Sequence, residues 1–140
     1  MKKILVLAAA IALVSSTAFA AGTATLNVTA TVTASCSITG GTLAFGALDP
    51  LTAPAVGPIA ATGVQVTCSN GTPFTVTNDA AGKPLVNGTS TIPFTLSHAA
   101  GGTGTGAAVN FPINGNIAVG TYTTALAGAH TSNVILTVNP

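Results

Sequence analysis

Residues 24–38 read ATLNVTATVTASCSI. In steps of two this places Ala24, Leu26, Val28, Ala30, Val32, Ala34, Cys36 and Ile38 on one face, against Thr25, Asn27, Thr29, Thr31, Thr33, Ser35 and Ser37 on the other. Strict alternation of this kind marks a half-buried β-strand. A strand over residues 24–38 would reach about 50 Å at roughly 3.3 Å per residue. A globule of about 100 residues has a radius of gyration of about 13 Å, hence a diameter of roughly 35 Å. One small domain cannot bury the whole face, and no Gly or Pro within the stretch supplies a bend. The expectation is that its first half, carrying Leu26, Val28, Ala30 and Val32, is buried in another molecule.

The stretch follows a leader-like segment. Lys2 and Lys3 form a basic start, Ile4 to Val14 an apolar run, and Ala18-Phe19-Ala20 an A-x-A cleavage site. The apolar run is too short to span a bilayer, and Ser15, Ser16 and Thr17 follow it. Residues 1–20 are therefore expected to be a signal peptide. Removing these 20 from 140 residues leaves 120, enough for one domain with a modest core. No later run is long enough to span, so the mature chain is expected to be exported without a membrane span.

Charge narrows the functions further. Past the leader, the one basic residue Lys83 stands against Asp49 and Asp79, a formal charge of −1 with both His neutral. Nucleic-acid binding and electrostatic membrane attachment need clustered Lys or Arg, so neither is expected. Thr, Asn, Ser and Gly must cover a surface with so few charges, which suits a protein packed against copies of itself. Two cysteines, Cys36 and Cys68, in an exported chain imply an intramolecular disulfide. Their spacing is not C-x-x-C and the two histidines are isolated, so no metal and no cofactor are expected.

Further along, Gly40-Gly41 breaks the first strand and residues 42–46 start a short one that ends at Asp49-Pro50. Residues 50–62, with Pro50, Pro54, Gly57 and Pro58, read as a loop. Val64, Val66 and Cys68 alternate with Gly63, Gln65 and Thr67, so Cys68 faces inward like Cys36. Asn70-Gly71 marks a turn before a strand at Phe74 to Thr77. A polar segment then leads to Ile92 to Leu96, where Phe94 and Leu96 share a phase. Ala99 to Gly106 reads as a flexible hairpin tip rather than a phosphate loop, because no strand-to-helix transition follows it. Val109, Phe111 and Ile113 alternate up to an expected turn at Asn114-Gly115. Gly120-Thr121-Tyr122 opens another strand, and Ala125 to Ser132 is a small-residue insertion. Val134, Leu136 and Val138 alternate with Ile135, Thr137 and Asn139 at the close. About seven strands after Ile38, with Gly and Pro turns and no helical stripe, predict an all-β sandwich with an open edge.

The order of motifs carries a resemblance. A strand ending in Cys36, Leu43-x-Phe45-Gly46, Val64-x-Val66-Thr67-Cys68, Gly120-Thr121-Tyr122 and a final Val134-x-Leu136-Thr137-Val138-Asn139 together resemble the spore coat protein U family. That family includes the major subunits of archaic (Csu-type) chaperone-usher pili. Between Ser97 and Ala108, and between Ala125 and Ser132, Gly and Ala replace the more polar segments of the pattern. The resemblance implies an incomplete immunoglobulin-like β-sandwich, held by a periplasmic chaperone, handed to an outer-membrane usher and completed by the N-terminal strand of the next subunit. Residues 21–33 would be the donor strand and 34–140 the pilin domain, with Leu26, Val28, Ala30 and Val32 as plugs and Val134, Leu136 and Val138 lining the acceptor groove. The implied function is a structural subunit of a surface pilus serving adhesion and biofilm formation.

Other function classes fare worse. His98, His130, Asp49, Asp79 and several Ser could nominally supply a triad, but no G-x-S-x-G elbow accompanies them, and no enzyme activity is expected. The sequons at Asn27, Asn70 and Asn87 read as coincidences of a Thr-rich composition. The alternative is a secreted monomeric module that binds carbohydrate or ice through the Thr face of residues 25–33. Such ladders need repeating strands, and the chain has no fixed internal period. Stacking aromatics are also few, with no Trp and one Tyr.

Overall fold

The computed structural model describes residues 21–140, so the expected leader at 1–20 lies outside the described residues. The described residues divide into two units, 21–31 and 32–140, and every strand among them belongs to the second. In chain order these are β1 (Cys36–Thr39), β2 (Val56–Ala60), β3 (Gln65–Cys68), β4 (Pro73–Asn78), β5 (Leu85–Asn87) and β6 (Ser90–Ile92). There follow β7 (Thr95–His98), β8 (Gly101–Thr103), β9 (Ala108–Asn110), β10 (Ile113–Ile117) and β11 (Leu136–Asn139). Among the described residues no helix is long and apolar enough to cross a membrane.

The strands form antiparallel sheets in the orders β1-β3-β9, β2-β10-β7 and β11-β4-β8, with β5-β6 as a separate hairpin. The all-β sandwich expected from the alternation is the observed class. Side chains of the inward phase meet in two clusters. Val64, Val66, Cys68, Val76, Phe111 and Ile113 form the first, drawing on three sheets. Ala53, Ile92, Ile117 and Tyr122 form the second. β10 connects them: Ile113 enters one, Ile117 the other, and Gly115 lies between on the same face.

Several expectations need correction. Pairing in the first strand begins only at Cys36, and residues 21–35 carry no strand. A strand exists by its ladder, and the β1–β3 register starts at the pair Cys36 and Cys68. Residues 42–46 likewise hold a single bridge, Thr42 to Thr62, rather than a strand, although Leu43 and Phe45 keep the inward phase. The expected loop at 50–62 contains β2, which tolerates Pro58 because it is an edge strand with an irregular register against β10. Residues 92–96 divide into β6 and β7 around Pro93.

The Gly-rich run at 99–106 is not a loose tip, since β8 within it pairs with β4. A Cβ on Gly101 would stand 1.9 Å from the Phe74 carbonyl oxygen, so glycine is there for close backbone approach. Asn114-Gly115 is not a turn but the centre of β10, hydrogen-bonded on both sides, to β2 and β7. Residues 120–122 form a turn instead of a strand. It is anchored by buried Tyr122, whose hydroxyl donates to the Pro54 carbonyl at 2.8 Å.

Candidate functional site

The expected disulfide is present between Cys36 and Cys68. The two residues are register partners in β1 and β3, so the bond ties neighbouring strands of one sheet rather than opposite sheets. It anchors an edge. β1 is the outer strand of its sheet and β11 the outer strand of another, and the two approach each other.

Both edges are open on the sides that the ladders leave free. Successive residues of an antiparallel strand turn their N–H and C=O to opposite sides. Ser69 N–H donates to Ser35 C=O at 2.9 Å, which assigns the odd residues of β1 to the β3 side. Cys36 and Ile38 therefore point their backbone groups away from β3. In β11, Asp79 N–H donates to Ile135 C=O at 3.2 Å, which assigns Ile135, Thr137 and Asn139 to the β4 side. Val76, the partner of Val138, accordingly donates its N–H to Ala100 on its other side, at 2.8 Å. The backbone groups of Val134, Leu136 and Val138 thus face the open edge.

Between these edges runs a groove of about 310 Å³. Ile38, Leu43 and Phe45 line one wall and Ser132, Val134 and Leu136 the other, over a floor that includes Val64, Leu96 and Ile113. The lining is mostly aliphatic and aromatic, and among the described residues no ionisable side chain lines the groove. Its depth owes much to Gly115: a Cβ there would lie 2.8 Å from Leu43 Cδ1 and 2.8 Å from Phe45 Cζ, so these side chains lean over the bare strand. A second cavity of about 840 Å³ continues past Leu43, Phe45 and Leu85, which line both, towards Tyr122 and residues 125–130.

The C-terminal wall is held by two charged side chains, Asp79 and Lys83. Ile135 N–H donates to Asp79 Oδ1 at 2.7 Å, Lys83 Nζ donates to Asp79 Oδ2, and Lys83 Nζ also donates to the Asn133 carbonyl at 3.4 Å. The hydrogen bond from Lys83, then that from the Ile135 N–H, holds the Asp79 carboxyl below the usual carboxylate range.

The residues expected to matter fall in distinct places. Leu26, Val28 and Val32 are 84%, 81% and 88% exposed, and Ala30 is exposed with them. Val134 and Leu136 line the groove, whereas Val138 is half-buried against the first core cluster and does not reach it. Leu43, Phe45, Leu96 and Gly115 were not singled out from the sequence as groove residues. The shared phase of Leu43 and Phe45 was the available signal. The nominal triad members are scattered: His98 bonds Asn78 and the Ala99 carbonyl, and His130 bonds Ser90 and the Gly128 carbonyl. Asp49 caps its own turn at Leu51 and Thr52.

Packed antiparallel sheets with two edge strands flanking an apolar groove define the class of the fold, a β-sandwich. The family model of the Spore Coat Protein U domain matches residues 22–90, the family that the order of motifs resembles. The domain is associated with chaperone-usher pilus subunits. No curated protein matches the chain.

Proposed function

We propose that this chain is a pilin subunit that polymerises by donor-strand exchange into a surface pilus serving adhesion and biofilm formation. The observation that carries the reading is complementarity within one sequence. The groove lies between two strand edges with free backbone groups, and residues 21–33 form an alternating segment without a ladder of its own. An extended segment laid into such a gap gains main-chain bonds from an edge and places alternate side chains in the groove, as in β-augmentation by chaperone and pilin strands. Leu26, Val28, Ala30 and Val32 supply that phase. Burying the Leu and the two Val contributes roughly 1.5 to 3 kcal/mol each.

Donor and acceptor are different surfaces of the subunit, so the contact is heterologous and propagates into an open filament. An unfilled groove with exposed edges is prone to wrong pairing, which is the physical reason for a periplasmic chaperone and an outer-membrane usher as assembly partners. The family match and the scarcity of charge support the same reading.

Electron microscopy of the purified mature chain tests it. Thin unbranched fibres are expected, and a chain lacking residues 21–31 should form none while still accepting a donor peptide. Fibres from the truncated chain would overturn the assignment of the donor, and a monomeric mature chain would overturn the polymer.

A further inference from the structure

We propose that Asp79 is a positioning residue for the groove: its carboxylate holds Asn133–Ile135 in the register that turns Val134 and Leu136 towards the donor strand. The proposal rests on the reading of the groove as a strand acceptor and names the group that sets its wall.

The β4–β11 register ends at the pair Asn78 and Leu136. One step further, Asp79 faces Ile135, and an ordinary ladder would exchange two backbone bonds there. Asp79 N–H makes one, to the Ile135 carbonyl. The return bond goes from Ile135 N–H to the side-chain Oδ1, because the backbone leaves the sheet here: Ala80 N–H donates to Asn78 Oδ1 at 2.9 Å, and Lys83 N–H closes a turn on the Ala80 carbonyl at 3.0 Å. A carboxylate thus replaces a carbonyl in the last rung. Lys83 pairs with its second oxygen and reaches the Asn133 carbonyl, so both sides of Val134 are tied.

Register is what this rung protects. With Ile135 held to β4 and its side chain 64% exposed, Val134 and Leu136 must face the groove. A slip of one residue would exchange them for Ile135. An exposed Asp–Lys pair alone contributes little, but a carboxylate accepting a backbone N–H is a charge-assisted bond.

The remaining titratable side chains of the described residues are engaged elsewhere: Asp49 with its own turn, His98 with Asn78 and Ala99, Tyr122 with Pro54, and His130 with Gly128 and Ser90. The effect of acid is therefore assigned to Asp79. Its carboxyl is lowered in the folded chain, so the stabilising contribution is fully present above the ordinary carboxylate range and is lost as pH falls through the lowered value.

The test uses the mature chain with wild-type, Asp79→Ala and Asp79→Asn sequences. Protection of the Ile135 amide against hydrogen exchange, relative to its intrinsic rate, and the rate of fibre formation are followed from pH 7 into the acid range. Asp79→Ala should lower both by roughly tenfold at pH 7, the scale of one charge-assisted bond. Asp79→Asn keeps an acceptor but not the charge, so it should resemble the acid form of the wild type at neutral pH and show a flat profile. If Asp79→Ala fails to fold, the Asp79→Asn profile decides. Unchanged Ile135 protection in both variants, or an equally steep acid loss in Asp79→Asn, overturns the proposal. A wild-type chain that forms no fibres defeats the acceptor reading instead, and the proposal, which rests on it, falls with it even where Ile135 protection still depends on Asp79.

Discussion

Phe45 lies against the bare backbone of Gly115, with its Cζ 2.8 Å from where a Cβ would stand. The contact joins a segment that has no ladder of its own to the central strand of a sheet, and it seats a side chain that lines the groove between β1 and β11. A side chain at position 115 would displace Phe45 and Leu43 into the cavity. Gly115→Val should destabilise the domain by about 1 to 3 kcal/mol, as overpacking does. It should also reduce capture of a peptide spanning residues 21–33 more than Gly88→Val, at a turn with open space around it, does. Thermal melts and peptide titration measure the two effects, and equal peptide affinity for both variants would dissociate Gly115 from the groove.

The Cys36–Cys68 bond closes a loop with a sequence separation of 32. In the chain-entropy account, opening it costs about 3.7 kcal/mol. Replacing both cysteines with alanine should lower the midpoint of denaturant unfolding and steepen its slope, because the unfolded chain is released from the closed loop. The groove wall should suffer with it, because β1 is an edge strand tied to its sheet on one side only. Thiol labelling of the denatured, unreduced wild type should find no free thiol.

Under the proposed donor role, alternation in residues 21–33 predicts a contrast between neighbours. Val28 belongs to the phase of Leu26 and Val32, and Thr29 to the opposite one. Val28→Asp would carry a carboxylate into a groove lined without ionisable partners, costing several kcal/mol. Thr29→Asp should be far milder. Fibre yield and resistance to heat in denaturant distinguish them, and equal effects at the two positions would remove the register argument.

The places where local reading went wrong share a cause. Asn-Gly at 114–115 has the residues of a tight turn, yet strands on both sides claim it for a ladder and the missing Cβ serves packing instead. The glycines at 101 and 102 have the composition of a flexible tip, but Gly101 lies where the Phe74 backbone comes too close for any side chain, and Gly102 lies against the Phe74 ring. Gly120-Thr121-Tyr122 reads locally as the opening of a strand, whereas the position of Tyr122 follows from a hydroxyl that reaches Pro54 across 68 residues. Each of these depends on partners remote in sequence. The C-terminal wall is a similar case: Val134 and Leu136 were legible as groove residues from their phase. The carboxylate that holds them is 56 residues from the Ile135 amide it accepts.

The amino-acid sequence alone determined what depends on period and composition: an all-β chain, inward Val64, Val66 and Cys68, and a disulfide between the two cysteines. These are properties of residues two apart or of counts, and a side chain's face in a strand follows from them directly. Tertiary structure decided where pairing stops, that β1 and β11 end as open edges beside each other, and that Leu43, Phe45 and Gly115 shape the space between them. Strand order and edge position arise from contacts between residues far apart in the chain, and a period of two repeats the same way whichever partner the strand finds.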